Sequence, residues 1–166
     1  MAGFSLTETQ AWYAQLPTMY GSAAAVITET DDPAARVLLV KPNYRDHWSL
    51  PGGILEDGEA PHAGCFREVE EELGILLPPG PLLAVAWTAP DSERPKPIVS
   101  FLFDGGVLAD ASAIRLQEEE LDDWRFVEPG ELGDYLPPFL VARVTAALTA
   151  RSTGAPAYVP TEAPLP

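Results

Sequence analysis

A cluster of acidic residues between Gly53 and Ile75 constrains this chain more than any other feature. Glu68, Glu71 and Glu72 stand at positions i, i+3 and i+4, so a helix turning by about 100° per residue places them on one face. Like charges at this spacing destabilise a helix by roughly 0.2–0.5 kcal/mol per pair. The pattern therefore predicts a helix whose acidic face is compensated by a bound cation.

The same stretch predicts how this helix is held in the fold. An apolar stripe adjoins the acidic face, and it consists of Phe66, Val69 and Leu73. We expect this stripe to pack on a core, with Gly74 ending the helix at a positive φ. Gly52 and Gly53, ahead of the helix, predict a turn whose backbone closely approaches a ligand or metal. The unit is thus a loop, a helix and a loop.

The chemistry of the predicted cation site favours a hard divalent ion. Oxygen ligands with room for water are typical of Mg²⁺, and Mn²⁺ is a second candidate. Zn²⁺ prefers His or Cys ligands, and His62 and Cys65 are close enough in the sequence to leave that alternative open.

Taken together, this stretch resembles the Nudix box of the MutT-like Nudix hydrolases at every fixed position. The matching residues are Gly53, Glu59, Arg67, Glu68, Val69, Glu71, Glu72, Gly74 and Ile75. The resemblance implies an α/β fold, the Nudix α/β/α sandwich with a mixed β-sheet between helices. It also implies Mg²⁺-dependent hydrolysis of a diphosphate linkage in a nucleoside diphosphate joined to another moiety. A nucleoside triphosphate and a nucleotide sugar such as ADP-ribose both satisfy that description.

The resemblance also implies a role for each residue of the box. It makes Glu71 and Glu72 metal ligands, together with the backbone carbonyl of Gly53 or of the neighbouring Gly52. Glu68 matches a residue that is either a further metal ligand or the base that activates water.

Two further residues of the box match positions that support the catalytic ones. Arg67 matches a residue that orients a catalytic glutamate, and Glu59 matches one that hydrogen-bonds within the loop and helix. Many members recruit one more glutamate from a later loop, and Glu119 or Glu120 occupies a comparable place. A solvated acidic turn is the alternative interpretation of that run.

Residues outside the box offer weaker candidates for substrate contacts. Aromatic side chains that could stack on a base are Tyr44, Trp48, Trp87 and Phe101. Cations that could meet phosphate or ribose oxygens are Arg45, Arg94 and Lys96. Core packing for the aromatics and ordinary surface positions for the cations are the competing interpretations.

Composition limits the partners of the chain. Its 10 basic residues stand against 25 acidic ones, for a formal charge of −15, which disfavours nucleic acid polymers and anionic membranes. Small metal-bound nucleotides remain compatible with it. The single cysteine, Cys65, excludes an intrachain disulfide, and no signal peptide or apolar span of membrane length is visible, so we expect a cytoplasmic location.

The remaining sequence predicts one domain with short extensions. We expect an N-terminal extension over residues 1–19, the Nudix domain over residues 20–150, and a disordered Pro/Ala-rich tail over residues 151–166. Helices are predicted at residues 7–16, 129–135 and 138–150. Strands are predicted at residues 22–28, 36–41, 82–88, 98–103, 113–117 and 124–127. Trp12 and Tyr13 in the first helix could form a homodimer interface.

Two alternatives to a hydrolase stay open at this point. One is a nucleotide-binding or sensor module that uses the scaffold without turnover. The other is a structural domain whose glutamates are solvated surface, and it predicts that Glu72→Gln leaves metal affinity unchanged. A hydrolase instead predicts that this substitution weakens metal binding and removes most turnover.

Overall fold

The computed structural model describes residues 6–161 and shows a mixed β-sheet flanked by helices, as predicted. The helices are α1 (Leu6–Tyr13), α2 (Pro61–Leu73) and α3 (Pro138–Thr153). The strands are β1 (Tyr20–Thr28), β2 (Val37–Pro42), β3 (Gly52–Ile54), β4 (Leu82–Thr88), β5 (Ile98–Val107), β6 (Leu121–Val127) and β7 (Ala157–Thr161). Within these residues no helix is both long and apolar enough to cross a bilayer.

The sheet has the order β6-β2-β1-β5-β4-β7, and β3 pairs with β1 beside this path. The β1–β5 and β4–β7 pairs are parallel and the other pairs are antiparallel. Successive residues of a strand point to opposite faces. On β1, Ala23, Ala25 and Ile27 therefore pack in the core cluster with α2, while Val26 packs in the cluster with α3.

Helix α2 ends where its sequence predicts. Pro61 occupies the first turn, where a missing N–H costs nothing, and Gly74 ends the helix at φ 66° with its N–H bonded to the Glu70 carbonyl. Cys65, Val69 and Leu73 are fully buried and dock the helix on the sheet, with Phe66 packed beside them. The predicted positive φ of Gly74 is thus confirmed.

The predicted disordered tail is wrong for residues 151–161. Helix α3 continues to Thr153, and Arg151 donates hydrogen bonds to the Asp104 carboxylate and to the Val26 carbonyl. Strand β7 then pairs with β4, packing Ala157 and Val159 on the α3 side. Strand β7 was not predicted because its apolar alternation covers only five residues and is surrounded by Ala and Pro. Residues 162–166 lie outside the described part of the chain.

Other boundaries differ in smaller ways. Residues 113–117 were predicted as a strand, but a 3-10 turn over Ala111–Ala113 and irregular backbone stand there instead. The reason is that Arg115 and Gln117 donate their N–H groups to the last carbonyls of α2, at Leu73 and Glu72, rather than to a strand. The helix predicted at residues 129–135 is a 3-10 helix over Pro129–Asp134. The predicted N-terminal extension includes α1, and residues 1–5 lie outside the description.

Candidate active site

The loop between β3 and α2 is tied to the helix by one ion pair. The Arg67 guanidinium donates from Nε (2.8 Å) and Nη2 (3.0 Å) to the two carboxylate oxygens of Glu59. Glu59 also accepts the N–H of Glu56 at 3.0 Å, so its carboxylate closes the loop on itself. The Arg67 contact lowers the pKa of Glu59 to about 2, and the Glu56 N–H adds to this effect. Both residues therefore lie where a supporting role requires them.

Arg67 also contacts two of the three glutamates on the acidic face. Its Nη1 lies 3.0 Å from an oxygen of Glu68 and donates to Glu71 at 2.9 Å. The Glu68 and Glu71 carboxylates thus converge on the guanidinium. The pKa of Arg67 is raised, mainly by its hydrogen bond to Glu59. One arginine therefore connects the loop carboxylate with the helix carboxylates.

Glu72 is the most buried of the predicted site residues, at 6% exposed. One of its oxygens accepts the N–H of Gly52 at 2.8 Å, which connects α2 to the start of β3. The pKa of Glu72 is raised to about 8, mainly by burial and in part by the charges of Glu68, Glu120 and Glu71, while the Gly52 hydrogen bond acts in the opposite direction. None of the ion pairs among residues 6–161 involves Glu72.

Glu68 lies directly over the backbone of β3. A Cβ built on Gly53 would stand 2.5 Å from the Glu68 carboxyl carbon, so only glycine permits this approach. Burial raises the pKa of Glu68, an effect that the Arg67 contact opposes. The glycine predicted from the box therefore allows a carboxylate to lie against the backbone of β3.

These donors fit a hard divalent cation in chemistry. They are carboxylate oxygens and the β3 backbone carbonyl that the family resemblance implies, and Glu72 is a buried carboxyl group without a cationic partner among the described residues. His62 is exposed, and burial first, then the charges of Glu68 and Glu72, raises the pKa of Cys65 to about 12, which disfavours a thiolate ligand for Zn²⁺. Across residues 6–161, no three acidic, His or Cys side chains are already grouped for a metal.

The structure distinguishes between Glu119 and Glu120, the two candidates in the later acidic segment. The charge of Glu120 is close enough to raise the pKa values of both Glu68 and Glu72. Both glutamates are exposed, and the backbone carbonyl of Glu119 accepts a bond from the Asn43 side-chain amide. The structure thus brings Glu120 to the acidic face.

The aromatic candidates are divided between the two faces of the sheet. Trp48 packs on the α3 side, edge to face with Tyr135 and under the Arg125 guanidinium at 4.6 Å. Phe101 packs on the α2 side, and Trp87 shares that face because its partner Val99 lies two residues from Phe101. The four aromatics therefore do not form one base-binding site.

The remaining candidates lie on loops. Tyr44 is 64% exposed and stacks with Arg45, whose guanidinium lies 5.4 Å from the ring. Arg94 pairs with Asp91 at 2.8 Å and donates to the Ala89 carbonyl at 2.8 Å. Lys96 lies 5.7 Å from the ring of Tyr20.

Sequence reasoning missed a buried cation, Arg143, and the residue it contacts, Thr88. Arg143 is 7% exposed and donates to the Thr88 hydroxyl at the end of β4. The sequence did contain a signal for the burial of Arg143. This residue lies three residues after Leu140 and four before Ala147, and both of these belong to the apolar stripe of α3. Arg125 and Tyr135, which enclose Trp48, were missed as well.

Comparison with known proteins connects this site with a family. The sequence profile of the NUDIX domain matches residues 19–148. A putative ADP-ribose pyrophosphatase, YjhB of Bacillus subtilis, is 39% identical over 62 residues, which make up 37% of this chain and 30% of that protein. An RNA pyrophosphohydrolase of Novosphingobium aromaticivorans is 27% identical over 107 residues, or 55% of this chain and 66% of the relative.

The fold agrees with this comparison. The NUDIX domain of Shewanella oneidensis NrtR, solved in complex with ADP ribose, superposes with a TM-score of 0.68, covering 87% of this chain and 97% of that domain. The two are 18% identical, so the likeness concerns the fold alone. Because the family profile spans most of the chain and includes every residue of the acidic site, this protein belongs to the Nudix family.

Proposed function

We propose that this protein hydrolyses a diphosphate linkage in a small nucleotide, with Mg²⁺ as cofactor and Mn²⁺ as a substitute. The observation that carries the proposal is the set of Glu68, Glu71 and Glu72 on α2, held against β3 through Gly52 and Gly53. A purely structural acidic face has no need for a glutamate buried to 6% exposure without a cationic partner among the described residues.

Glu71, Glu72 and the Gly53 carbonyl would hold the metal, with Glu68 as a further ligand or as the base. When bound, Mg²⁺ supplies charge that offsets the phosphate oxygens and acts as a Lewis acid. Arg67 keeps Glu71 and Glu68 in place from one side, and Glu59 fixes Arg67 from the other. The supporting pair thus determines where the carboxylates stand.

The reaction adds water to one phosphorus and breaks the bond from that phosphorus to the bridging oxygen. One product gains the hydroxyl of water, and the other retains the bridging oxygen. As base, Glu68 would take the proton from the attacking water, and its raised pKa brings it nearer to neutrality, where general bases are effective. Burial is the largest cause of that shift.

The substrate class follows from charge and from the relatives. The net charge of −15 disfavours extended polyanions, which supports a small nucleotide such as ADP-ribose or a nucleoside triphosphate. The relatives named above are a putative ADP-ribose pyrophosphatase and an RNA pyrophosphohydrolase, and both names describe cleavage of a phosphoanhydride. A cytoplasmic setting is part of this proposal, because the single cysteine cannot form an intrachain disulfide.

A homodimer is a separate part of the proposal. On α1 and just after it, Trp12, Tyr13, Leu16 and Met19 are exposed, at 55%, 62%, 39% and 57%. Exposed apolar side chains in one segment are typical of an interface. Light scattering after gel filtration of the protein and of Trp12→Ser would test this, since a dimer through α1 should dissociate in the variant.

The activity is tested by phosphate release with Mg²⁺ across nucleoside triphosphates, nucleotide sugars and dinucleotides, with and without added phosphatase. Glu72→Gln should lose metal affinity and turnover together, while Glu70→Gln, on the exposed side of the same helix, should behave as the wild type. Glu68→Gln should lose turnover more than metal affinity if Glu68 is the base. Nucleotide binding without turnover in the wild type would instead indicate a sensor.

A further inference from the structure

Arg143 is a buried arginine without an acidic partner. It is 7% exposed, and its Nε has no hydrogen-bond partner, the one such side-chain atom among the described residues. None of the ion pairs within residues 6–161 includes it. Buried guanidinium groups are ordinarily paired with a carboxylate, because their desolvation is costly.

The neighbours of Arg143 leave this charge uncompensated. Its Nη2 donates to the Thr88 hydroxyl, and its guanidinium carbon lies 5.1 Å from the centre of the Phe139 ring. The charged group that acts on Arg143 is a second cation, Arg94, which bonds to the carbonyl of Ala89 next to Thr88 and pairs with Asp91. Burial, and then the charge of Arg94, lowers the pKa of Arg143. Two arginines thus lie together in a protein of net charge −15.

The central strands β1 and β5 lie between Arg143 and the acidic site. On the α3 side of β1 and β5, the hydroxyls of Ser22 and Ser100 bond at 2.8 Å. Ser22 and Ala24 are only half-buried although β1 is a central strand, so α3 leaves this part of the sheet partly open. We call this surface, between Trp48 on the β2 side and Thr88 on β4, the α3-side cleft.

The cleft has the dimensions of an extended small molecule. Across the sheet, Thr88 on β4 lies three strand spacings, about 14 Å, from β3, which carries Gly53, and along the strands it lies three residues, about 10 Å, beyond the level of Gly53. The acidic site lies on the α2 side of the sheet at β3, whereas Arg143 lies on the α3 side at the end of β4. A nucleotide whose diphosphate lies at Gly53 would therefore have to pass beside the three-residue strand β3 to bring its far end toward Arg143.

We propose that Arg143, oriented by Thr88 and assisted by Arg94, forms an anion-binding subsite for a phosphate group at the far end of the substrate. This inference rests on the proposed function for the identity of the molecule, but the anion site itself does not. A guanidinium donates two parallel bonds to a phosphate, and its unpartnered Nε is one of the donors that such a pair uses. Specificity would then favour substrates phosphorylated on the second moiety.

The first experiment measures anion binding without catalysis. The melting temperature is followed in EDTA as inorganic phosphate is added, against chloride at equal ionic strength, because a ligand that binds only the folded state raises it. The wild type should be stabilised in a concentration-dependent way. Arg143→Met should weaken phosphate binding by at least about tenfold, since hydrogen bonds to a charged group are lost. Arg36→Met, which removes an exposed arginine paired with Glu29, should respond as the wild type does.

The stability of Arg143→Met without phosphate separates binding from structure. An unpaired buried charge replaced by an apolar side chain of similar length should leave the melting temperature unchanged or raised. If Arg143→Met fails to fold, Thr88→Val supplies the test, because it removes only the oxygen that orients the guanidinium and should weaken phosphate binding. An equal phosphate response in wild type and folded variant, or no response in the wild type, would overturn the proposal.

A second experiment assigns the subsite to the substrate rather than to a free effector. Phosphate should inhibit hydrolysis competitively in the wild type, raising KM at constant kcat, and should lose this effect in Arg143→Met. Inhibition that lowers kcat at constant KM would overturn the assignment to the substrate. A protein that shows no hydrolysis would refute the proposed function, yet the melting experiment would still decide the anion site.

Discussion

The Arg67 guanidinium donates two hydrogen bonds to the Glu59 carboxylate, from Nε at 2.8 Å and from Nη2 at 3.0 Å. A lysine cannot reproduce this two-point contact while also reaching Glu71. We expect Arg67→Lys to lower kcat roughly 10–100-fold, the usual effect of losing a group that orients metal ligands. Arg36→Lys, which alters an exposed pair with Glu29, is the control and should retain full activity. Unchanged kcat in Arg67→Lys would show that the pair does not position the site.

The same pair predicts a pH dependence of stability. The pKa of Glu59 is about 2 in the folded protein against an ordinary value of 4.5, so the folded state binds the proton less tightly than the unfolded state. The stabilisation is therefore present above pH 4.5 and is lost as the pH falls toward 2. In urea titrations, wild type should exceed Glu59→Gln in unfolding free energy near neutral pH, and the difference should shrink over that window. A difference that stays constant with pH would refute this linkage.

The close approach of Glu68 to Gly53 predicts a separation of activity from stability. A methyl group on Gly53 would meet the Glu68 carboxylate, which can move aside because it ends a flexible side chain. Gly53→Ala should therefore fold with a near-normal melting temperature but lose activity by roughly 10², since small misplacements of a reacting group are costly. Gly130→Ala, where an added methyl meets nothing within 4 Å, is the matched control. Full activity in Gly53→Ala would show that Glu68 tolerates displacement.

The acidic run gives a prediction about the metal. Glu120, whose charge acts on Glu68 and Glu72, should contribute to cation binding, whereas Glu119 should not. We expect Glu120→Gln to weaken Mn²⁺ binding roughly tenfold in isothermal titration and Glu119→Gln to leave it near the wild-type value. Equal effects of the two substitutions would mean that the run acts only through its general negative charge.

Strand β7 gives a prediction about the end of the fold. It covers the edge of β4 and packs Val159 against the core, so its removal should expose a strand edge and apolar surface. A chain that ends at Gly154 should have a lower unfolding free energy than one that ends at Thr161, by roughly 1–3 kcal/mol. Both chains keep Arg151 and its bond to Asp104. Equal unfolding free energies of the two chains would show that β7 adds a strand to the sheet without stabilising the fold.

Much of the chemistry was predictable because it depends on local spacing. The period of α2 places Glu68 and Glu72 beside β3, and the glycines fix the ends of the unit. The division of Trp48 and Phe101 between two faces was not predictable, since it depends on the parallel pairing of β1 with a strand 78 residues away. The burial of Arg143 depends likewise on how α3 packs over Thr88.

The alternation along β1 has a consequence for how such a protein can change. Ala23 and Ala25 face the helix that carries the acidic residues, while Ser22 and Ala24 face the α3-side cleft. Neighbouring residues of β1 therefore influence different properties of the protein. Under the proposed anion-binding subsite, variation at even-numbered positions of this strand would alter which molecule is accepted and would leave the acidic residues on the opposite side undisturbed.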